Sequence, residues 1–305
     1  MVLFATGVVA DAKTDALWEH FGARVAEIEH HLDGVLGVGV LDLTSGKQFL
    51  LRPDEVFPQA SSIKITVLAE LYRQSERAND GGATAGAGHA KLTDEYLVQA
   101  GDLVQDSDIM AGLTPGVTRL TNRDLATMMV AVSDNAATNV LIGRVGMGRV
   151  NDFLKEQGFT HTQLRRRMMD LDAAKAGREN VSTPREMMQL LEKLYRGKVL
   201  SKPSTEDFFT MLATHKDSWL PLGLPESLRV ANKPGALEGV RADSGVVFLD
   251  NRPYVICVMT TYLADERAGE TAIRDISAAA FAMFDRIAHA SEYGRVISPS
   301  NGSNR

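Results

Sequence analysis

The chain has 305 residues, of which 44% are hydrophobic and 24% charged, and its net charge is −6; that composition fits a globular protein with room for one large domain or two unequal lobes. The charge argues against a nucleic-acid binder, because phosphate binding needs clustered Lys and Arg, and the run Arg165, Arg166, Arg167 is short enough to read as a solvated or salt-bridged loop. No stretch is long enough to span a membrane.

The first residues, MVLFATGVVADA, hold a short apolar stretch followed by Ala10-Asp11-Ala12, a small-residue pattern like a secretory cleavage site but without a basic start. The expectation is a secreted or periplasmic chain, with a plain leader on a cytoplasmic protein as the alternative. From Thr14, the residues Leu17, Trp18, Phe21, Val25, Ile28 and Leu32 recur at steps of three and four and predict an amphipathic helix. GVGVLDL and KQFLLR, separated by Thr44-Ser45-Gly46, predict a β-hairpin. After Pro58 the pattern turns helical through SSIKITVLAELYRQSER, TNRDLATMMVAV, NAATNVLIGRVG, GRVNDFLKEQG and TPREMMQLLEKLYRG. Between the first two of these, residues 79–89, NDGGATAGAGH, read as a mobile loop, as does the tail SPSNGSNR. Strand character returns in LRVANK, SGVVFLD and YVICVMTTYL. A closing helix carries Ile273, Ile276, Ala280, Phe284 and Ile287 on one side.

A hairpin alone makes an unstable sheet, so the strands at the two ends of the chain must pair. The expected fold is an α/β (α+β) sandwich, an antiparallel sheet flanked by the N- and C-terminal helices. Residues 1–57 and 213–305 form the sheet lobe, residues 58–212 an inserted all-helical lobe, and the active site lies between them. Oligomeric state has no signal in the sequence. The one cysteine, Cys257, lies in an apolar strand and reads as a buried core thiol. The seven histidines show no metal-binding spacing, so neither a metal nor another cofactor is expected.

The stretch FPQASSIK places Ser61 and Lys64 three residues apart, side by side on a helix start. A serine hydroxyl needs a base to become a nucleophile, and a lysine serves if burial or nearby positive charge lowers its pKa. Alone, the pair is an ordinary helix cap. VSDNAATN adds Ser133, Asp134 and Asn135 in a turn between helices, and VANKPGALEG adds Lys233 and Gly235 on a strand. Separately these read as a capping turn and a hairpin end; in this order and context they form a specific set.

With these motifs the chain resembles the class A β-lactamases and their penicillin-recognising relatives, from about Val35 to Ala290. The resemblance implies the β-lactamase/transpeptidase-like fold and a small-molecule substrate, a β-lactam or a related amide or ester. It also implies that Ser61 is acylated, Lys64 takes its proton, and Ser133 passes a proton to the leaving nitrogen with help from Lys233. Asn135 would hold the substrate's amide side chain, the NH groups of Ser61 and Ala236 beside Gly235 would bind the oxyanion, and Asp134 would brace the turn.

Two departures stand out. The loop before Thr183-Pro184 reads LRRRMMDLDAAKAGRENVS, and Met168 occupies the position where the family has the glutamate that activates water for deacylation. Asp172, or failing that Asp170, is the expected substitute base. Pro234 stands where the family has a hydroxyl that binds a penicillin's carboxylate, and Arg241 is the expected replacement as a charged fork. Three functions follow: a β-lactam hydrolase with slow deacylation, a hydrolase of the same fold acting on esters or other amides, and a β-lactam-acylated sensor or decoy without turnover.

Overall fold

The computed structural model describes residues 12–79, 89–291 and 293–296. The leader before Ala12, residues 80–88 of the expected loop and the tail from Ser298 lie outside the described residues.

The molecule is built around a five-stranded antiparallel sheet in the order β2-β1-β9-β8-β7. Its members are β1 (Val35–Asp42), β2 (Gln48–Leu51), β7 (Val230–Leu237), β8 (Val240–Val247) and β9 (Tyr254–Thr261). The expected hairpin forms, with Val38 opposite Leu51, and the two ends of the chain meet where Gly39 of β1 faces Cys257 of β9. Along β9 the side chains alternate between two cores: Tyr254, Ile256 and Val258 on one face, Val255, Cys257 and Met259 on the other. Burial pushes the Cys257 thiol up to about 12, as for an inert core thiol.

The first core is covered by α1 (Ala12–His31) and α9 (Glu266–Ala288), the two helices foreseen at the ends of the chain. Trp18, Phe21 and Val25 of α1 meet Ile273, Ile276, Ala280 and Phe284 of α9 over β1 and β9, and Phe284 stacks on Tyr254 with centroids 4.2 Å apart. Each buried aliphatic or Phe side chain here contributes roughly 1.5–3 kcal/mol of transfer free energy.

On the other face lie α2 (Lys64–Asn79), α3 (Asn122–Ala131), α4 (Asn135–Val145), α5 (Met147–Glu156), α6 (Leu171–Lys175), α7 (Pro184–Tyr195) and α8 (Lys202–Leu212). Local chemistry sets several of their starts. Thr121 and Asp124 cap α3 reciprocally, and Thr183 caps α7 with Pro184 in the first turn. The same stretch also holds short pairs that a purely helical reading omits: β3 (Phe57–Pro58) with β6 (Val181–Ser182), and β4 (Glu95–Leu97) with β5 (Arg119–Thr121). The first of these ties the entry to α2 onto the loop before α7, and so joins two segments that the site uses. Among the described residues no helix is long and apolar enough to cross a membrane, and no cluster of His, Cys, Asp or Glu could hold a metal ion.

Candidate active site

Ser61 does not sit in the first turn of α2 itself but in a 3₁₀ turn, Ala60–Ile63, immediately before it. Ala60 has φ +45°, a left-handed conformation costly for a residue with a Cβ. The surroundings hold that strain in place. A Cβ at Gly235 of β7 would lie 2.5 Å from the Gln59 carbonyl oxygen and 2.8 Å from the Ser61 nitrogen, so only glycine lets the strand approach the turn this closely. Ser62 locks the contact by donating from its hydroxyl to the Lys233 carbonyl at 2.6 Å. Ala236, the next residue along β7, is exposed.

The turn before α4 brings the second group. Ser133 also adopts a left-handed conformation, φ +59°. Asp134 caps α4 through Ala137 N at 2.9 Å and accepts from the backbone of Ile109 and Met110 at 3.1 and 2.9 Å; fully buried, it braces the turn. The buried Lys64 Nζ donates to the Ser133 carbonyl at 2.6 Å, the Ser133 Oγ at 2.9 Å and the Asn135 Oδ1 at 2.9 Å. From the other side Lys233 Nζ donates to the same Ser133 Oγ at 3.1 Å and to the Pro234 carbonyl at 3.1 Å. Two buried lysines thus converge on one hydroxyl, while among the described residues no group hydrogen-bonds the Ser61 hydroxyl.

Both amines lose proton affinity. Burial pushes Lys64 well below the usual lysine range, and the charge of Lys233 adds to this against the pull of Asp134 and Asp106. Burial brings Lys233 down to about 7, opposed by Asp243 and assisted by Lys216. The three acceptors around Lys64 Nζ match the three N–H bonds of an ammonium, and loss of one proton would leave a lone pair for a hydroxyl.

The loop before α7 is held as firmly. Asn139 lies one turn beyond Asn135 on α4 and clamps the Met168 backbone in both directions, accepting from its N at 2.8 Å and donating to its O at 3.0 Å. Arg166 pairs with Glu179 at 2.9 Å, and Asn180 Oδ1 accepts from Arg165 N and Arg166 N. Met168 is buried, and Met169 is a third left-handed residue, φ +61°.

The structure therefore brings together Ser61, Lys64, Ser133, Asn135, Lys233 and Gly235, with Ala236 following on the strand. Three other expected residues lie outside this set of contacts. Asp170 spends its carboxylate as the cap of α6, accepting from Ala173 N at 2.9 Å. Asp172 is exposed in the first turn of that helix and, among the described residues, shares no hydrogen bond with the cluster. Arg241 is no free fork: its guanidinium is bound to Glu266 and Glu270 of α9.

Sequence reasoning missed Ser62, Asn139 and Asp243. Asp243 is fully buried in β8, accepts from Asn232 and from the backbone of Trp219 and Leu220, and is raised by burial to about 6. The one carboxylate in the strand VRADSGVV was the available signal.

An antiparallel sheet with helices on both faces and two lysines converging on a serine hydroxyl define the β-lactamase/transpeptidase-like class of fold. A family model described as the β-lactamase enzyme family matches residues 21–284, and the chain belongs to that family. The β-lactamase OXY-2 of Klebsiella oxytoca is 29% identical over 285 residues, covering 92% of this chain and 91% of its own. The crystal structure of a β-lactamase from Sphaerobacter thermophilus is similar with a TM-score of 0.75 and 31% identity, over 87% of this chain and 97% of that one. PBP-A, at 23% identity and a TM-score of 0.76 over 87% of this chain and 96% of its own, shares the fold.

Proposed function

We propose that this chain is a serine hydrolase that opens β-lactam amides through an acyl-enzyme at Ser61 and releases the product slowly. The observation that carries the reading is the convergence of Lys64 and Lys233 on the Ser133 hydroxyl, at 2.9 and 3.1 Å, beside a serine whose backbone is clamped by Gly235.

The chemistry follows from this geometry. Neutral Lys64 takes the Ser61 hydroxyl proton as Oγ bonds to the carbonyl carbon of the substrate. The oxyanion is received by the NH groups of Ser61 and Ala236, the residue after Gly235, at which a Cβ would lie 2.8 Å from the Ser61 nitrogen. As the carbon–nitrogen bond breaks, Ser133 gives its proton to the leaving nitrogen and is refilled from Lys64, so Ser61 loses one proton, the amine product gains one, and Lys64 and Ser133 return to their starting states. Lys233, held on the Ser133 oxygen, stabilises negative charge there during the transfer. Asn135 Nδ2, which donates weakly to the Gln105 carbonyl at 3.4 Å, exchanges that bond for one to a substrate amide. Deacylation needs a base at the water, and the buried thioether of Met168 cannot accept that proton. This favours the second reading, a β-lactam-acylated sensor or decoy, as the limit in which release stops.

Intact-mass spectrometry during reaction with a penicillin separates the cases. An adduct that forms and slowly decays supports a slow hydrolase, a permanent stoichiometric adduct supports the sensor, and no adduct points to the ester or other-amide hydrolase. Ser61→Ala must abolish any adduct; if the adduct persists, the nucleophile is elsewhere.

A further inference from the structure

We propose that Glu266 and Glu270 set the substrate class of this site by holding Arg241 away from anions, so that the preferred acyl donor bears no carboxylate beside the bond that breaks. The inference rests on the reading of Ser61 as the acylated nucleophile.

The family's anion contact is lost at Pro234, and Arg241 was its expected replacement. At Pro234 there is neither a hydroxyl nor an N–H, on an edge strand where proline is tolerated because no neighbour needs that donor. Arg241 is the opposite partner of Ala236 in the β7–β8 register, one strand in from the expected oxyanion residue. Its side chain is already committed. Nε donates to Glu270 Oε1 at 2.9 Å, Nη2 to Glu266 Oε2 at 2.5 Å, and Nη1 to the carbonyls of Leu237 and Val240 at 2.9 Å each. Those bonds use four of the five guanidinium N–H donors.

The charge is spent as well as the hydrogens. Two carboxylates against one guanidinium leave this group net negative, and Arg241 in turn holds the Glu266 carboxyl below its usual range. The fold is shaped for the latch. Glu266 and Glu270 stand four apart on one face of α9, and Gly269 between them lets the helix come close, since a Cβ there would lie 2.4 Å from Leu263 and 3.4 Å from Arg241 Cγ. Glu266 also accepts from Gly239 N at 3.2 Å in the β7–β8 turn, and the Trp219 ring centroid lies 5.8 Å from the guanidinium. A substrate carboxylate would have to break charge-assisted bonds to recruit Arg241 and would still meet two negative neighbours. A neutral amide or ester meets no such cost.

The test compares acylation of the protein by benzylpenicillin and by its methyl ester, followed as second-order rate constants by intact mass. The unaltered protein is expected to react with the ester at least as fast as with the acid. In a Glu266→Gln/Glu270→Gln variant the ratio should move about tenfold toward the acid, and in an Arg241→Ala background the same two changes should move it less than about twofold. Melting curves establish that each variant is folded, and the comparison in the unaltered protein needs no variant. A tenfold or greater preference of the unaltered protein for the acid overturns the proposal while leaving acylation of Ser61 intact, as does an unmoved ratio in the folded double variant. If neither compound forms an adduct, the reading of Ser61 as acylated by β-lactams fails and takes the proposal with it.

Discussion

The cluster around Ser133 and the loop from Gln163 to Asn180 are both held by buried hydrogen bonds, and both contain left-handed residues that only a well-determined surrounding keeps in place. They differ in what they offer a substrate. In the cluster the bonds aim two amines at a hydroxyl. In the loop they are spent on backbone, through the Asn139 clamp on Met168, the Asn180 side-chain Oδ1 and the Asp170 cap, and the position so held carries a thioether. Scaffold and chemistry are therefore separable here. In the proposed mechanism acylation and release fall to different segments, and the loop keeps its architecture with Met168 at the held position.

The largest effect should come from breaking the cluster. Lys64→Ala removes the proton acceptor and leaves the Ser133 carbonyl and Asn135 Oδ1 without their donor, so adduct formation should slow by roughly 10³-fold, within the range of general-base losses. Circular dichroism should show the fold retained. A rate within tenfold of the parent would show that some other group takes the Ser61 proton.

The opposite change repairs the loop. Met168→Glu places a carboxylate at the position fixed by Asn139, one turn of α4 from the Asn135 that binds Lys64. Release of the acyl group should accelerate by about 10²-fold, while burial of the carboxylate lowers stability by about 1–3 kcal/mol. Formation and decay of the adduct, read separately, would show decay alone accelerating. Unchanged decay would mean that the loop lacks more than a base.

The same division explains what was legible in the sequence. The sheet, its two covering helices and the convergence of Ser61, Lys64, Ser133 and Lys233 were readable because each rests on local periodicity or on a motif whose spacing encodes a turn. That Met168 stands where the family has a glutamate was implied by the resemblance alone. The fates of Asp170 and Arg241 could not be read, because they depend on partners: a backbone N–H three residues on, and two glutamates 25 and 29 residues away. Helix α8 was passed over because Phe208, Phe209, Met211 and Leu212 crowd one end of it, leaving a weak period. Ser62 carries no local signal, because its role depends on the Lys233 carbonyl 171 residues away.

Proton affinity gives a subtler probe of the cluster. With Lys233 at about 7, its cation is lost as pH rises past neutrality, and acylation should fall about tenfold per pH unit beyond that point if the charge is essential. Lys233→Arg, slower at pH 7, keeps its cation and should lack that falling limb. Stability moves the other way. Between about 7 and the ordinary 10.5 the unfolded chain holds a proton on Lys233 that the folded chain does not, so stability rises with pH across that window. Lys216, at about 8, acts in the same direction. Melting temperatures at pH 7 and 9 read the sign directly, and a fall between them would contradict the burial of these amines.

The smallest effects test whether the loop's carboxylates are structural. Asp170→Ala removes the α6 cap and should lower stability by about 1 kcal/mol, with adduct decay changed by no more than about twofold. Asp172→Asn, at an exposed site, should change neither by a measurable amount. The pair is informative because a base and a cap fail differently: losing a cap shifts the denaturation midpoint and spares decay, whereas losing a base slows decay and spares the midpoint. If Asp172→Asn slows decay tenfold at an unchanged midpoint, a carboxylate from α6 reaches the water after all, and the contrast between a complete acylating half and an incomplete releasing half would have to be withdrawn.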